Sequence, residues 1–476
     1  MPERQVVSTT VAGDRLGGAY WRYWAATTST NLADGIRAGA FPLLAAALSG
    51  EPVGVAAVFA AQHGAWLVFG LYAGVLTDRH PPARILLVAD VCRVAVLVLL
   101  LGCVAVEVAT IGLLVAVAFV IGTAETFRDT AAPSLLPRLV GDRLLERAAG
   151  RLLSSEVLGN EFLGPLLGAA LFAVATALPL ATDGLVLALA VALVFSLPRT
   201  IRSAAPQPPR TVPAAPQPAP TAPAVPEPAP TVPAAPTPAP MVRAVPEPAP
   251  TVPAAPEPGM PNPVVAGSRL RAELGVGIRW LARHRQLRTV TASGTLLAFA
   301  DAAWWAVLVV FATDVLHLPP AGYGLLLAAG AAGGAGGGLA AERLARYAGP
   351  VPLLTGAVLV AGLPALALAV APPLPIVLPV LALSSAGFAV WNVIAFSNRQ
   401  RRTPAHLFGR VTSVHRVALC GGSTLGALAG GWVTSAISLT AMFALAGAVT
   451  VVAAAVQASA WGADGAGSPS RTGPPC

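Results

Sequence analysis

Apolar blocks of about 20 residues or more follow one another along this chain, separated by short polar interruptions. Twelve such blocks are legible, at about 20–48, 53–77, 85–104, 108–132, 152–176, 180–198, 289–313, 321–342, 350–371, 374–397, 411–433 and 437–459. A helix rising 1.5 Å per residue crosses a hydrocarbon core of about 30 Å in such a block. Within lipid only helices and closed barrels satisfy every backbone hydrogen bond, and continuous blocks this long argue for helices. The expectation is an all-α integral membrane protein with twelve transmembrane helices.

The polar interruptions carry a sidedness. With the N-terminus placed in the cytoplasm, alternate loops collect the arginines: Arg79 and Arg84; Arg138, Arg143 and Arg147; Arg343 and Arg346; Arg399, Arg401, Arg402 and Arg410. The long segment between spans 6 and 7 falls on the same side and holds ten more. The opposite loops, near 49–52, 104–107, 177–183, 314–320, 372–374 and 434–436, hold no basic residue but contain Glu51, Glu107, Asp183 and Asp314. Basic residues near helix ends mark the cytoplasmic side. The expected location is the cell membrane, multi-pass, with both termini inside.

Composition agrees. Of 476 residues, 55% are hydrophobic and 11% charged, with mean hydropathy +0.70. Soluble domains average about 25% charged residues, so this chain lacks the polar surface to coat a water-soluble body. All 30 basic residues are arginine. The four cysteines are scattered, the six histidines have no ligand spacing, and neither a phosphate-binding loop nor a nucleophile motif appears. No metal, no cofactor and no enzymatic activity are expected, and nucleic acid is not an expected partner. The polar N-terminus lacks the pattern of a cleaved signal peptide, so the first span is expected to remain in place.

Between the sixth and seventh spans a ten-residue unit repeats, as in TVPAAPQPAP, TAPAVPEPAP and TVPAAPTPAP. Proline at this density favours an extended polyproline II chain. The expected organisation is a six-helix half over 1–198, a cytoplasmic proline-rich disordered tether over 199–267, an amphipathic interfacial helix over 268–288, a second six-helix half over 289–460 and a cytoplasmic tail over 461–476. Leu270, Leu274, Ile278 and Leu281 give the interfacial helix its apolar stripe.

The halves echo each other. Gly74, Asp78 and Arg79 align with Gly338, Glu342 and Arg343 at an offset of 264; Gly150, Arg151 and Ser154 align with Gly409, Arg410 and Ser413 at 259; Asp34 aligns with Asp301 at 267. Three matches in order, at nearly one offset, indicate two pseudo-symmetric six-helix halves. Duplicated halves are a transporter architecture, with the substrate near the midplane between them.

GVLTDRHPPAR resembles the loop between the second and third helices of the major facilitator superfamily, with Pro81 and Pro82 standing where that loop usually has Gly. GNEFLGPLLGA resembles the Gly-Pro motif in the fifth helix of that superfamily's exporters, through Gly159, Gly164, Pro165 and Gly168. Other phrases, such as NLADGIRAGAFPLLA and RQRRTPAHLFGRVTSV, are similar to its enterobactin-exporter-like and macrolide-efflux-like drug exporters. The resemblance implies proton-coupled export of a small molecule; gating is expected at Gly74, Asp78, Arg79 and Arg84 and at Gly159, Gly164, Pro165 and Gly168 of the fifth helix, and a monomer is expected.

The charges within the spans are the candidate chemistry. Asp34 and Arg37 lie near the middle of span 1, where a lone charge costs about 2.5–3.5 kcal/mol or more. Three residues apart, they share a helix face. Two readings fit: a structural ion pair turned towards other helices, or a carboxylate on a wet cavity that takes a proton or a cationic group. Asp301, beside Trp304 and Trp305, has the corresponding place in span 7. Asn160 and Glu161 in span 5, Gln62 and His63 in span 2, and Asn392 in span 10 are further candidates for substrate or proton contact. Glu125, Arg128 and Asp129 are expected to form an inner gating network with Asp78 or Arg151. Export of a lipophilic molecule by antiport with protons, through alternating access, is the functional expectation; an importer, a facilitator, or a membrane scaffold using the tether are the alternatives.

Overall fold

The computed structural model describes residues 16–77, 79–203 and 275–459. Asp78, most of the tether, residues 268–274 and the tail over 461–476 lie outside the described residues. Among the described residues there is no strand, and twelve helices are long and apolar enough to cross a membrane. They are α1 (Gly18–Ser49), α2 (Pro52–Thr77), α3 (Pro82–Ala105), α4 (Ile111–Ala131), α5 (Leu145–Val174), α6 (Leu178–Phe195), α7 (Arg285–Val315), α8 (Pro320–Tyr347), α9 (Pro350–Leu368), α10 (Leu374–Arg402), α11 (Ala405–Ala436) and α12 (Leu439–Ala458). Residues 275–283 form a short helix before α7. These helices are apolar all round: Val88, Val98, Leu189, Leu339 and Trp432 face outward as freely as Leu86, Leu97 and Leu187 face inward. That is the signature of a helix solvated by lipid.

Packing repeats with a shift of six helices. In the first half α1 packs on α5 and α6, α2 on α4, and α3 on α4 and α6. In the second, α7 packs on α11 and α12, α8 on α10, and α9 on α10 and α12. The contacts between halves obey the same symmetry, α2 against α11 and α8 against α5.

Glycine makes the tightest crossings. Gly35 and Gly39 of α1 lie directly on the backbone of Gly159, Gly164 and Pro165 in α5, and Gly168 lies on the Ile36 carbonyl. In the second half Gly422, Gly426 and Gly430 of α11 lie on Thr295, Phe299 and Ala303 of α7, while Gly333 and Gly337 of α8 lie on Ala382 and Ala386 of α10. Lipid supplies no hydrophobic drive for helices to associate, so close backbone approach does much of the work. Pro165 has no N–H to give and its ring crowds the turn before it. The consequence is visible as a π-helical segment, Val157–Leu163, with the Gly164 amide reaching back to the Gly159 carbonyl. A widened turn of this kind often marks a functional position in a helix.

Contacts between the halves concentrate towards the end that carries the α1–α2 and α5–α6 turns. There Gly431 of α11 abuts Pro52, Val53 and Ala56, and Gly324 of α8 abuts Pro165, Leu166 and Ala169. Further along the same seam the Arg416 guanidinium of α11 lies over the Trp66 ring of α2, at 3.7 Å from its centroid. The first segment of α5, Leu145–Glu156, packs chiefly within its own half. The seam between the halves is thus closed from the former end as far as Trp66 and Arg416.

The α1–α5 crossing gives a direct check. Gly168→Ala places a methyl group on the Ile36 carbonyl oxygen, a backbone atom that cannot step aside. Overpacking of this kind costs about 1–3 kcal/mol. Thermal denaturation followed by size-exclusion chromatography is expected to show a lowered transition for Gly168→Ala and an unchanged one for Gly150→Ala, whose added carbon meets nothing.

Candidate functional site

Three helices of the first half carry an acid followed three residues later by arginine: Asp34 and Arg37 on α1, Asp90 and Arg93 on α3, Glu125 and Arg128 on α4. The fold brings all six together. Arg37 donates to Asp34 at 2.6 Å, to Asp183 of α6 at 3.1 Å, and to Glu125. Arg93 pairs with Asp34, with Asp90 at 3.3 Å and with Glu125 at 3.5 Å. Arg128 reaches Asp90 at 3.1 Å and donates to the Thr30 hydroxyl at 2.8 Å. Gln62 of α2 donates to the second oxygen of Glu125 at 3.4 Å.

Burial divides the cluster into an inside and an edge. The side chains of Arg37 and Arg93 are 2% and 0% exposed, while those of Asp34 and Glu125 are 20% and 13% exposed. The arginines are thus sealed in the helix bundle, and two of the carboxylates that hold them reach its margin. Three guanidiniums face four carboxylates: Asp34, Asp90, Glu125 and Asp183. With every group ionised the cluster carries one surplus negative charge.

Several sequence expectations change here. Hydropathy alone puts Asp183 in a polar outer loop, but α6 begins at Leu178, which sets Asp183 in its second turn, buried against Arg37. Asp314, likewise expected in a loop, is in the last turn of α7. Glu125 and Arg128 do not meet Arg151; their partners are instead Arg37, Arg93 and Asp90. Arg151 stacks over the Trp21 ring at 5.1 Å. Asp129 is half-exposed and pairs only loosely with Arg128, at 3.9 Å and without a hydrogen bond to the cluster among the described residues. Asp90, Arg93 and Asp183 are site residues that sequence reasoning missed. The recurring acid-x-x-Arg spacing on three spans was the available signal.

The other candidates are dispersed. Asp301 is half-buried on α7 beside Trp305 and, among the described residues, has no basic partner. Trp304 is buried and stacks on Trp305 at 4.9 Å. Glu161 is exposed on the π-helical segment without an ion pair among the described residues, and Asn160 beside it is half-buried. The His63 ring stacks on Phe59 and its Nδ1 lies 3.0 Å from the Phe59 carbonyl. Asn392 is exposed on α10 and lines a cavity near Arg399 and His415. Gly74 has open space around it, and Arg79 and Arg84 are exposed.

Two six-helix halves with the same helix packing, the first enclosing a buried charge cluster, define a polytopic membrane transporter fold. The family model of the Major Facilitator Superfamily matches residues 23–427, and the chain belongs to that superfamily. Comparison with curated protein sequences found no match. Solved structures share the fold. The nucleoside transporter NupG is similar with TM-score 0.64 at 10% identity, covering 94% of this chain and 99% of that one. A bacterial homologue of the iron transporter ferroportin, in an inward-facing state, gives TM-score 0.63 at 15% identity over 93% and 98% of the two chains. A bacterial homologue of the human lysosomal transporter Spinster, inward-facing and unoccupied, gives 0.63 at 12% over 93% and 96%.

The cluster geometry makes a thermodynamic prediction. Arg37 is the sole ion-pair partner of Asp183 among the described residues, whereas Arg37 has two others. Removing one partner of a buried pair costs about 3–5 kcal/mol. Arg37→Leu is expected to destabilise strongly, Asp183→Leu less, and the double variant is expected to recover part of the Arg37→Leu loss. A double-mutant cycle of thermal stabilities in detergent measures this coupling.

Proposed function

We propose that this protein is a secondary active exporter of a small lipophilic molecule, driven by antiport with protons across the cell membrane. The observation that carries the reading is the charge cluster with one carboxylate more than it has guanidiniums, and with Asp34 and Glu125 at its edge. The surplus negative charge suits the binding of one proton, or of one cationic group, from an alternating-access crevice between the halves. Releasing that proton on the opposite side drives transport only if the two conformations hold it with different affinity. Asp34 pairs with both Arg37 and Arg93, and a small displacement of α1 against α3 alters that balance. The Gly-Pro crossing of α5 on α1 lies on the same stretch of α1 as Asp34 and Arg37, at Gly35 and Gly39. Movement at the crossing and charge at the cluster are therefore mechanically close.

Asp301 is the second proton candidate. Among the described residues it has no arginine to hold it ionised, and it sits beside the stacked Trp304 and Trp305 rings. Those rings and the apolar walls suit a substrate with a flat or lipophilic body. The arginine distribution supports a crevice mouth and both termini on the cytoplasmic side, and the exporter-like Gly-Pro motif favours outward transport.

Inverted membrane vesicles energised with a proton gradient test the mechanism on a panel of lipophilic compounds. Asp34→Asn and Asp301→Asn are expected to lose gradient-driven uptake while retaining substrate exchange. Unchanged pumping by both variants would sink the proton-coupling reading. Sidedness has its own check: in a cysteine-free background, Glu51→Cys is expected to react with impermeant maleimide in intact cells, and Arg79→Cys only after permeabilisation.

A further inference from the structure

We propose that the second half carries a binding site for an acidic group of the transported molecule, a carboxylate or phosphate, at Arg399. The inference rests on the reading of the crevice as a transport path and adds a substrate class to it. Arg399 is in the last turn of α10, 8% exposed, and neither its Nε nor its Nη1 has a hydrogen-bond acceptor. It lines a cavity of about 400 Å³ together with Asn392, Phe396, Ser397 and His415. The guanidinium also faces the Phe396 ring, whose centroid lies 5.6 Å from it.

An arginine cannot shed its proton in a protein, so a buried guanidinium without an acceptor is a cost that a bound anion removes. The second half supplies no such anion here. Between residues 275 and 459 there are eleven arginines and only three carboxylates. Asp314 lies in the last turn of α7, near its opposite end, and Glu342 is paired with Arg346 at 2.6 Å. Asp301 is beside Trp305 in the middle of α7. None of the three lines the cavity. His415 adds an imidazole whose Nδ1 is occupied by the Thr291 hydroxyl at 3.1 Å. Asn392 and Ser397 contribute neutral polar groups, and Phe396 an apolar wall.

One stripe of α10 joins the cavity to the Asp301–Trp305 position. Ser385, Asn392, Phe396 and Arg399 follow one stripe of α10 at spacings of seven, four and three residues. Ser385 at the head of that stripe lies next to Gly330 of α8, which also meets Trp305. Arg399 is about 21 Å further along the helix at 1.5 Å per residue. The stripe thus runs from the Asp301–Trp305 position to the Arg399 cavity. The first-half cluster carries a surplus negative charge, and here the second half carries an unneutralised positive one. An amphoteric molecule with a basic group and an acidic group matches both walls.

The test uses the full chain in nanodiscs, with benzoate and inorganic phosphate as probes and binding read by intrinsic tryptophan fluorescence and calorimetry. In discs of neutral phosphatidylcholine, the natural chain is expected to bind at least one probe. Arg399→Gln is expected to weaken that binding about tenfold or more, the loss of a charge-assisted contact, and Arg399→Lys to restore part of it. Ser397→Glu supplies an internal carboxylate, and is expected to abolish probe binding while raising thermal stability, which keeps the test decisive if Arg399→Gln folds poorly. Binding of neither probe, or binding unaffected by Arg399→Gln and Ser397→Glu, overturns the proposal. So does an Arg399-dependent thermal shift seen only when the discs contain phosphatidylglycerol, because the anion is then a lipid headgroup. These readouts are independent of pumping. Arg399-dependent binding without proton-driven export sinks the export reading alone, and export without such binding sinks this site alone.

Discussion

Three guanidiniums in the interior of a helix bundle fix the organisation of the first half. Arg37, Arg93 and Arg128 are surrounded by lipid-solvated helices, and none of them can become neutral. Each therefore demands carboxylates at contact distance, and those carboxylates come from α1, α3, α4 and α6. Four helices are pinned in rotation as a result, because turning any of them strands a charge in low dielectric. The cluster also cannot close on itself. With four carboxylates for three arginines, its margin at Asp34 and Glu125 retains a charge that solvent, a proton or a cation must answer.

The second half has a different solution to the same geometry. Its helices pair as their counterparts do, and α11 lies on α7 through Gly422, Gly426 and Gly430, much as α5 lies on α1 through Gly159, Gly164 and Gly168. Yet of the cluster's charged residues only Asp34 has a charged counterpart there, Asp301. Asp301 has tryptophan beside it where Asp34 has two arginines. The duplicated scaffold is thus kept by backbone contacts between small residues, while side-chain chemistry has diverged freely on top of it. Both halves are held by small-residue contacts, and among the described residues buried ion pairs join them only in the first.

The α1–α5 crossing couples scaffold and chemistry. Gly35 and Gly39 are flanked by Asp34 and Arg37 on one helix, while Pro165 forces a widened turn in the other. A helix held at its backbone by glycines has no interlocking side chains to resist sliding there. The same segment must carry the ion pairs that resist rotation. Displacement along the crossing, with rotation restrained by the charges, is the motion this arrangement leaves open to α1.

The sequence alone determined the twelve helices, because a bilayer imposes length and apolarity on every crossing segment separately. It also determined the two-fold repeat, through matched motifs at nearly constant offset, and it singled out Asp34, Arg37, Glu125 and Asp301, since charge inside an apolar run is locally conspicuous. It placed Asp183 in a loop because a charge near the start of a span looks like the span's boundary until a partner is known. It did not name Arg37, Arg93 and Asp90 as the neighbours of Glu125 and Arg128, and it left Asp90 and Arg93 unremarked, although their spacing repeats that of Asp34 and Arg37. Only the tertiary structure decided these points. Which carboxylate meets which arginine depends on the rotation of each helix about its own axis, and in lipid-facing helices that are apolar all round the sequence pattern does not encode that rotation. Arg399 shows the same limit: at a helix end it reads as one of several cytoplasmic arginines, and its burial beside a cavity without an acceptor arises from how α10 and α11 stand against each other.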